Sequence, residues 1–392
     1  MMHDAEQPVV LVSAAQHPTG LMTARSLRDC GAKIIGLAYG DSPCLTSSVW
    51  SSLCKAEQTS ASILQTIRRI AAEQAGQLLL LPSDDEAVKI LSDHRQELPT
   101  NCILVLPDSS TVDLLLDKSK FYPWAETHGF NVPKTREIRS FSELEAAADG
   151  IGYPLLLKPL YRTPWWDREI PGDKVFILES QQQHARLPLH LFEVAPVMLA
   201  QQWIPGTDAD VYFCLVCYDQ QGNLINHFCG RKLMQWPPLG GSTAVAISDE
   251  KEESLETTLA IFNAVGYKGL GSVEYKKDPR DGRLYITEPT VGRNDFQSYI
   301  AVAGNVNLTQ AFYCSALGLQ FKQKRPRRQS AWICETSLIN SVRYYLRQRN
   351  YYFFRYVFSF FRSVSFAYFD MRDRAPFKTC FKNMLRWKKC SH

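Results

Sequence analysis

The sequence predicts an α/β protein with a parallel-sheet domain first, a second α+β region after it, and a helical basic tail. Three observations lead there. From residue 8 to 106, apolar strand-like runs alternate with helical stretches, the pattern of a parallel sheet with helical crossovers. Residues 271–293, GSVEYKKDPRDGRLYITEPTVGR, join two runs of strand formers through turn-forming DPRDG, which reads as a β-hairpin. Charge is segregated: residues 1–320 carry 27 Lys and Arg against 37 Asp and Glu, whereas 321–392 carry 17 against 3. The tail is therefore a separate electrostatic object that raises the question of anionic partners.

In the first region PVVLVSAA is a continuous apolar strand, Thr19 to Cys30 a helix stopped by Gly31, and KIIGLAY a second strand. ASILQTIRRIAAEQAG, QLLLLP, DDEAVKILSDHRQEL and CILVLP continue as helix, strand, helix, strand. The first turn, SAAQHPTG, lacks GxGxxG, so no nicotinamide site is assigned. Ser83-Asp84-Asp85, at a strand-to-helix junction, either caps that helix or lines a cleft at the carboxyl end of the sheet. One helical stretch follows, SSTVDLLLDKSKFYPWAETHGF, and then YPLLLKP, a strand with a single Lys158. That lysine is snorkelling, paired, or facing a phosphate. YRTPWWDREIPGDKVFILES reads as a mobile loop returning into a strand. Helices are expected from about Ser248 to Val265 and from about Val306 to Leu317.

Cys214 and Cys217 have CxxC spacing inside the strand-like run DVYFCLVCYD. Residues three apart on a strand face opposite ways, so the pair reads as packing. Eleven Cys without a secretory signal suggest reduced thiols in a cytoplasmic protein. No run of 18 uncharged apolar residues suggests a transmembrane helix.

The hairpin carries the chemistry. With Arg280-Asp281-Gly282 as a three-residue loop and Gly282 left-handed, Pro279 lies opposite Arg283 and Glu274 opposite Glu288. Facing carboxylates repel. Two readings answer that repulsion. In one, the hairpin is a solvated surface neutralised by Lys276 and Lys277. In the other, a divalent cation lies between the acids and is completed by phosphate oxygens, as Mg²⁺ is held in nucleotide enzymes.

Five motifs occur in order: DKSKFYPWAETHGFNVP with Lys118, LLLKP with Lys158, AQQWIPGTD, the acids Glu274 and Glu288, and Arg293. In that order and spacing residues 8–320 resemble the ATP-grasp enzymes. The resemblance implies a Rossmann-like pre-ATP-grasp domain at 1–110 and a two-lobed ATP-grasp domain at 111–320, its small lobe near 125–205. The basic aromatic extension then covers 321–392. It also implies residue roles. Lys118 and Lys158 contact the nucleotide phosphates, Gln201, Gln202 and Ile204 face adenine, and Asp208 holds the ribose hydroxyls. Glu274 and Glu288 bind Mg²⁺ or Mn²⁺, and Arg293 stabilises the transferred or attacked group. Lys232 is a further phosphate contact or a surface strand lysine. Three departures stand out. Thr290 occupies the third metal position, where the family has Asn. Arg293 lies one residue further from the acid than in the commonest pattern. The phosphate-covering loop is RTPWWDREIPGDK, with only Gly172, so Lys174, or Arg162 and Arg168, supplies charge in place of a Gly-rich cradle.

The activity implied is an ATP-dependent carboxylate–amine ligase that works through an acyl phosphate and releases ADP and phosphate. The alternative is a degenerate ATP-grasp scaffold that binds nucleotide without catalysis. Thr290 and the loop favour the alternative, and the retained Lys118, Lys158, Glu274 and Glu288 oppose it. A carboxylase-like acceptor finds no biotin-related support. Partners are small-molecule carboxylates and amines, with a homodimer left open and no specific nucleic acid. In the tail, arginines 343, 347, 355 and 362 fall near helical spacing among Phe and Tyr. This is either an accessory helix packed on the core or an interfacial helix on an anionic membrane, peripheral at the inner face.

Overall fold

The computed structural model describes residues 7–160, 163–170, 175–327, 329–349 and 362–390. The first apolar runs become β1 (Val9–Val12), β2 (Lys33–Ala38), β3 (Ser52–Lys55), β4 (Leu78–Leu81) and β5 (Cys102–Ile103). They form one parallel sheet in the order β3-β2-β1-β4-β5. β1 lacks hydrophobic alternation because both faces are covered. Val9 and Leu11 pack with Ile63 and Ile67, while Val10 and Val12 pack with Met22 and Leu27. The strand order reverses between β1 and β4, which opens a crevice at their carboxyl ends. The short, polar β3 has no strand signal in the sequence.

The single helical stretch expected after this sheet is two helices, Ser109–Leu116 and Lys118–Thr127. Asp117 divides them. Its carboxylate accepts from the Ser119 amide at 2.9 Å, an N-cap, and this puts Lys118 at the first helical position.

The small lobe is the antiparallel sheet β6-β9-β7-β8, built from β6 (Thr135–Ile138), β7 (Leu155–Pro159), β8 (Phe176–Leu178) and β9 (Met198–Gln202). The expected mobile loop holds a short helix, Pro164–Glu169, in its described part, with Trp166 fully buried. The large lobe begins with β10 (Val211–Tyr218), β11 (Leu224–Trp236), β12 (Ser242–Ser248), β13 (Gly269–Lys277) and β14 (Leu284–Val291). Cys214 and Cys217 are both buried on β10, in different cores, as opposite strand faces require. The ten cysteines whose side chains are described are free thiols.

The same sheet continues into the basic extension. β15 (Ser330–Ile333) pairs antiparallel with β12, and β16 (Ser363–Phe366) pairs parallel with β15, giving the order β14-β13-β10-β11-β12-β15-β16. Trp332 of β15 is fully buried and meets Phe296 edge-on at 5.0 Å. Further on, the loop at 370–374 latches onto the N-terminal domain. Arg25 Nη2 lies 2.9 Å from Asp373 Oδ2, with both side chains buried. Ser47 Oγ donates to the same oxygen at 2.5 Å and the Ser48 amide to Oδ1 at 3.1 Å. Arg28–Asp370 and Arg372–Asp29 flank this pair. The extension that begins at 321 is in this sense part of the large lobe. Of its arginines, Arg343 and Arg347 are exposed on the helix Glu335–Arg347 and Arg362 adjoins β16. Arg355 lies outside the described residues. Among the described residues no helix is long and apolar enough to cross a membrane.

Candidate functional site

The hairpin forms, with a correction to its turn. Asp278 N donates to Arg283 O at 2.9 Å and Gly282 N to Asp278 O at 2.8 Å, so the loop spans the four residues 279–282, not three. Gly282 supplies the positive φ of 75°. Next to the turn the register is therefore one residue off the expectation: Lys277 faces Leu284 and Tyr275 faces Ile286. A β-bulge at Thr287 then restores the count, and Glu274 does face Glu288. Bulges re-aim side chains at sites of this kind. Here the bulge is pinned, because Tyr122 donates its hydroxyl to the Thr287 carbonyl at 2.6 Å.

The two acids open into a cavity of about 430 Å³ between the small and large lobes, within the range of ligand sites. Each acid holds a lysine. Lys118 Nζ is 3.1 Å from Glu288 Oε1 and Lys232 Nζ is 2.6 Å from Glu274 Oε2. The charge of Glu288 raises the Lys118 pKa. Burial raises that of Glu274, against the lowering by Lys232. On β7, Lys158 donates to Gln201 Oε1 at 3.0 Å and sits 5.5 Å over the Tyr122 ring. Gln201 also donates to Thr135 Oγ1 at 2.8 Å. At the far end Arg293 Nε meets Asp85 Oδ1 at 2.6 Å. The Ser83-Asp84-Asp85 motif takes the capping role considered for it and does not itself line the cavity. Asp84 caps its helix through the Ala87 amide at 2.6 Å, and Asp85 reaches the cavity arginine.

Lys118, Lys158, Gln201, Gln202, Ile204, Lys232, Glu274, Glu288, Thr290 and Arg293 all line this cavity. Asp208 departs from its expected place. Its buried carboxylate stands behind the wall, filled by Gln235 N at 2.8 Å, Gln235 Nε2 at 3.1 Å, Leu239 N at 2.8 Å and Tyr345 Oη at 2.9 Å. Lys174 and Arg162 lie outside the described residues, and Arg168 is exposed beside Glu169. Sequence reasoning missed Gln235, residues 240–243, Asp295 and Gln297, which also line the cavity. It also placed Lys276 as a surface counter-charge, yet this residue lies in the cavity and donates to Thr207 O at 2.5 Å. The signal for Lys276 was present: it lies two residues from Glu274 on one strand, hence on the same face.

The acids fit a hard divalent cation. They face each other, and Thr290, two residues after Glu288, is buried beside them. Among the described residues no cluster of three or more His, Cys, Asp and Glu forms. The two carboxylates would hold such a cation only with phosphate and water completing its coordination, the way Mg²⁺ is usually held.

Solved structures similar to this one include N5-carboxyaminoimidazole synthetase of Staphylococcus aureus complexed with ADP. That match has a TM-score of 0.65 and 13% identity, and covers 83% of this chain and 81% of the other. The biotin carboxylase domain dimer of the Hydrogenobacter thermophilus 2-oxoglutarate carboxylase matches with a TM-score of 0.62 and 17% identity over 82% and 73% of the two chains. The chain has the ATP-grasp fold. Among curated proteins, the D-aspartate ligase of Enterococcus faecium is 25% identical over 260 residues, 63% of this chain and 61% of that protein. The carbamoyl phosphate synthase large chain of Mycobacterium bovis is 25% identical over 223 residues, 55% of this chain and 19% of that protein. The chain thus spans less than two thirds of the length of these curated relatives. No protein-family model matches it. Lys158 and β9 belong to the four-stranded sheet, the two acids to the seven-stranded sheet, and Lys118 to the helix Lys118–Thr127 between the five-stranded and four-stranded sheets.

Proposed function

We propose that this chain is an ATP-dependent carboxylate–amine ligase. The observation that carries the proposal is the facing pair Glu274 and Glu288, with Lys118, Lys158, Lys232 and Arg293 converging on one cavity. The ADP bound to the Staphylococcus aureus neighbour and the MgADP bound to the Hydrogenobacter thermophilus one support a nucleotide there. The D-aspartate ligase relative supports amide formation.

In this reading Lys118 and Lys158 neutralise the triphosphate, and Gln201, Gln202 and Ile204 border the base. Glu274 and Glu288, with the Thr290 hydroxyl beside them, would hold the divalent cation, which supplies charge neutralisation of the phosphates. The substrate carboxylate oxygen attacks the γ-phosphorus as the bond to the ADP oxygen breaks. The amine nitrogen then attacks the acyl carbon. A C–N bond forms, the C–O bond to phosphate breaks, and the amine gives up a proton. Arg293, fixed by Asp85, orients the carboxylate and faces the oxyanion that develops. The chain acts by positioning and charge, so no nucleophilic side chain is required. ADP release measured against pooled amino acids and carboxylates tests this. An acceptor-dependent rate is expected. Release that no acceptor raises above background, together with Glu288→Ala binding Mg-nucleotide as tightly as wild type, leaves the non-catalytic scaffold as the answer.

We also read the far end of the extension as a contact for an anionic bilayer. On the helix Ala375–Cys390, Phe381 and Leu385 are 45% and 50% exposed, and Lys378 and Lys382 share that helix. Such a face suits the interface of an anionic membrane. Full-length protein is expected to co-sediment with vesicles containing phosphatidylserine and to be released by salt. Equal sedimentation of a Phe381→Ser, Leu385→Ser variant sinks this reading.

A further inference from the structure

The helix Glu335–Arg347 belongs to the basic extension, but its buried side points at the cavity wall. Ser341 is fully buried, and its hydroxyl donates to the Gln235 carbonyl at 2.8 Å. One turn later Tyr345 donates to Asp208 Oδ2 at 2.9 Å. The same carboxylate takes the Gln235 amide at 2.8 Å, the Gln235 side chain at 3.1 Å and the Leu239 amide at 2.8 Å. Gln235 and Leu239 line the cavity, as do residues 240–243 that follow them. Gln235 Oε1 in turn accepts from Lys232 at 3.3 Å, and Lys232 holds Glu274 at 2.6 Å. A continuous polar chain therefore runs Tyr345, Asp208, Gln235, Lys232, Glu274.

Apolar packing alone would not build this. A buried carboxylate is costly unless its lone pairs are filled, and here one of the four donors comes from a segment more than a hundred residues away. Asp208 fixes the end of β11 and the following turn as a rigid unit only while all four donors are present. We infer that Tyr345 and Ser341 are positioning residues. Through Asp208 and Gln235, the C-terminal extension sets the geometry of the cavity wall and so its affinity for Mg-nucleotide. This rests on the nucleotide reading of the cavity.

The test is calorimetric titration of full-length protein with Mg-ADP, paired with steady-state ADP release once an acceptor is in hand. Tyr345→Phe removes one hydroxyl and keeps the ring. It is expected to weaken Mg-ADP binding about tenfold, the lower end for a hydrogen bond to a charged group, and to raise KM for ATP with kcat nearly unchanged. In the Asp208→Asn background the same substitution should add little, because the two act through one carboxylate. Arg343→Gln, exposed on the same helix, should bind as wild type. Ser341→Ala touches the wall through Gln235 alone and gives an independent measure if Tyr345→Phe lowers the melting temperature. Wild-type binding that neither Tyr345→Phe nor Ser341→Ala changes overturns the inference and leaves the proposed function intact. Absence of Mg-ADP binding by wild type overturns the nucleotide reading and this inference with it.

Discussion

Glu288→Gln is expected to lower kcat/KM for ATP by about 10²–10³-fold, the scale seen when one preorganised charge stabiliser is lost. The substitution keeps the shape of the side chain and removes its charge. Two things follow at the site. On the proposed reading the cation loses one of its two anionic ligands, so the concentration of Mg²⁺ needed for half-maximal rate should rise. Lys118, now 3.1 Å from Glu288, loses its resting partner. The fold should not suffer. The Glu288 side chain is 52% exposed, and neutralising it relieves the repulsion from Glu274 across the strand pair. The expected combination is therefore a large loss of turnover with an unchanged or slightly raised melting temperature. ADP release titrated with Mg²⁺, alongside thermal unfolding, checks both. A variant that keeps wild-type kcat/KM and Mg²⁺ dependence removes Glu288 from the site.

Asp373→Ala is expected to be the most destabilising single change in the extension, at about 3–5 kcal/mol, the cost of leaving a buried charge without its partner. Arg25 Nη2 sits 2.9 Å from Asp373 with its side chain at 0% exposure. The variant also strips the Ser47 hydroxyl and the Ser48 amide of their acceptor. Unfolding of a chain with several domains is not a single transition, so the test is the urea midpoint of the phase that frees the N-terminal domain from the extension. The pH dependence has a definite sign. Burial works to raise the Asp373 pKa, but the Ser47 hydrogen bond and Arg25 prevail and hold it below the usual carboxylate value. A depressed carboxylate stabilises above its unfolded pKa and loses that contribution as the group protonates. The wild-type advantage over Asp373→Ala should thus be complete at neutral pH and shrink as pH falls below about 4. A gap between the two proteins that is constant from pH 7 to pH 3 contradicts this.

The parallel sheet was legible because its strands are unbroken apolar runs, and such runs need no register to be recognised. The metal-pair geometry was legible for a partly accidental reason. A three-residue turn was one residue short, and the bulge at Thr287 made up the difference before the chain reached Glu288. Bulges leave little trace in composition, so the count alone could not separate the two cases. Asp208 shows the opposite limit. Its place in AQQWIPGTD aims it at a ribose, yet its surroundings are decided by Gln235, Leu239 and Tyr345, the last 137 residues away. The tail was legible only in part. An accessory helix packed on the core is found at Glu335–Arg347, while SAWI and SVSF are short enough to escape notice. They become β15 and β16 because β12 offers an unpaired edge.

The two resting ion pairs, Lys118–Glu288 and Lys232–Glu274, bear on the order of assembly. With its acids already neutralised by lysine, the ligand-free protein is a poor trap for a bare cation. On the proposed reading, phosphates would draw the lysines away from the carboxylates and so free the acids for the metal. On the proposed reading, nucleotide and cation therefore strengthen each other's binding, by reciprocity of linkage. On the same reading the protein would favour the preformed metal–nucleotide complex over either component alone.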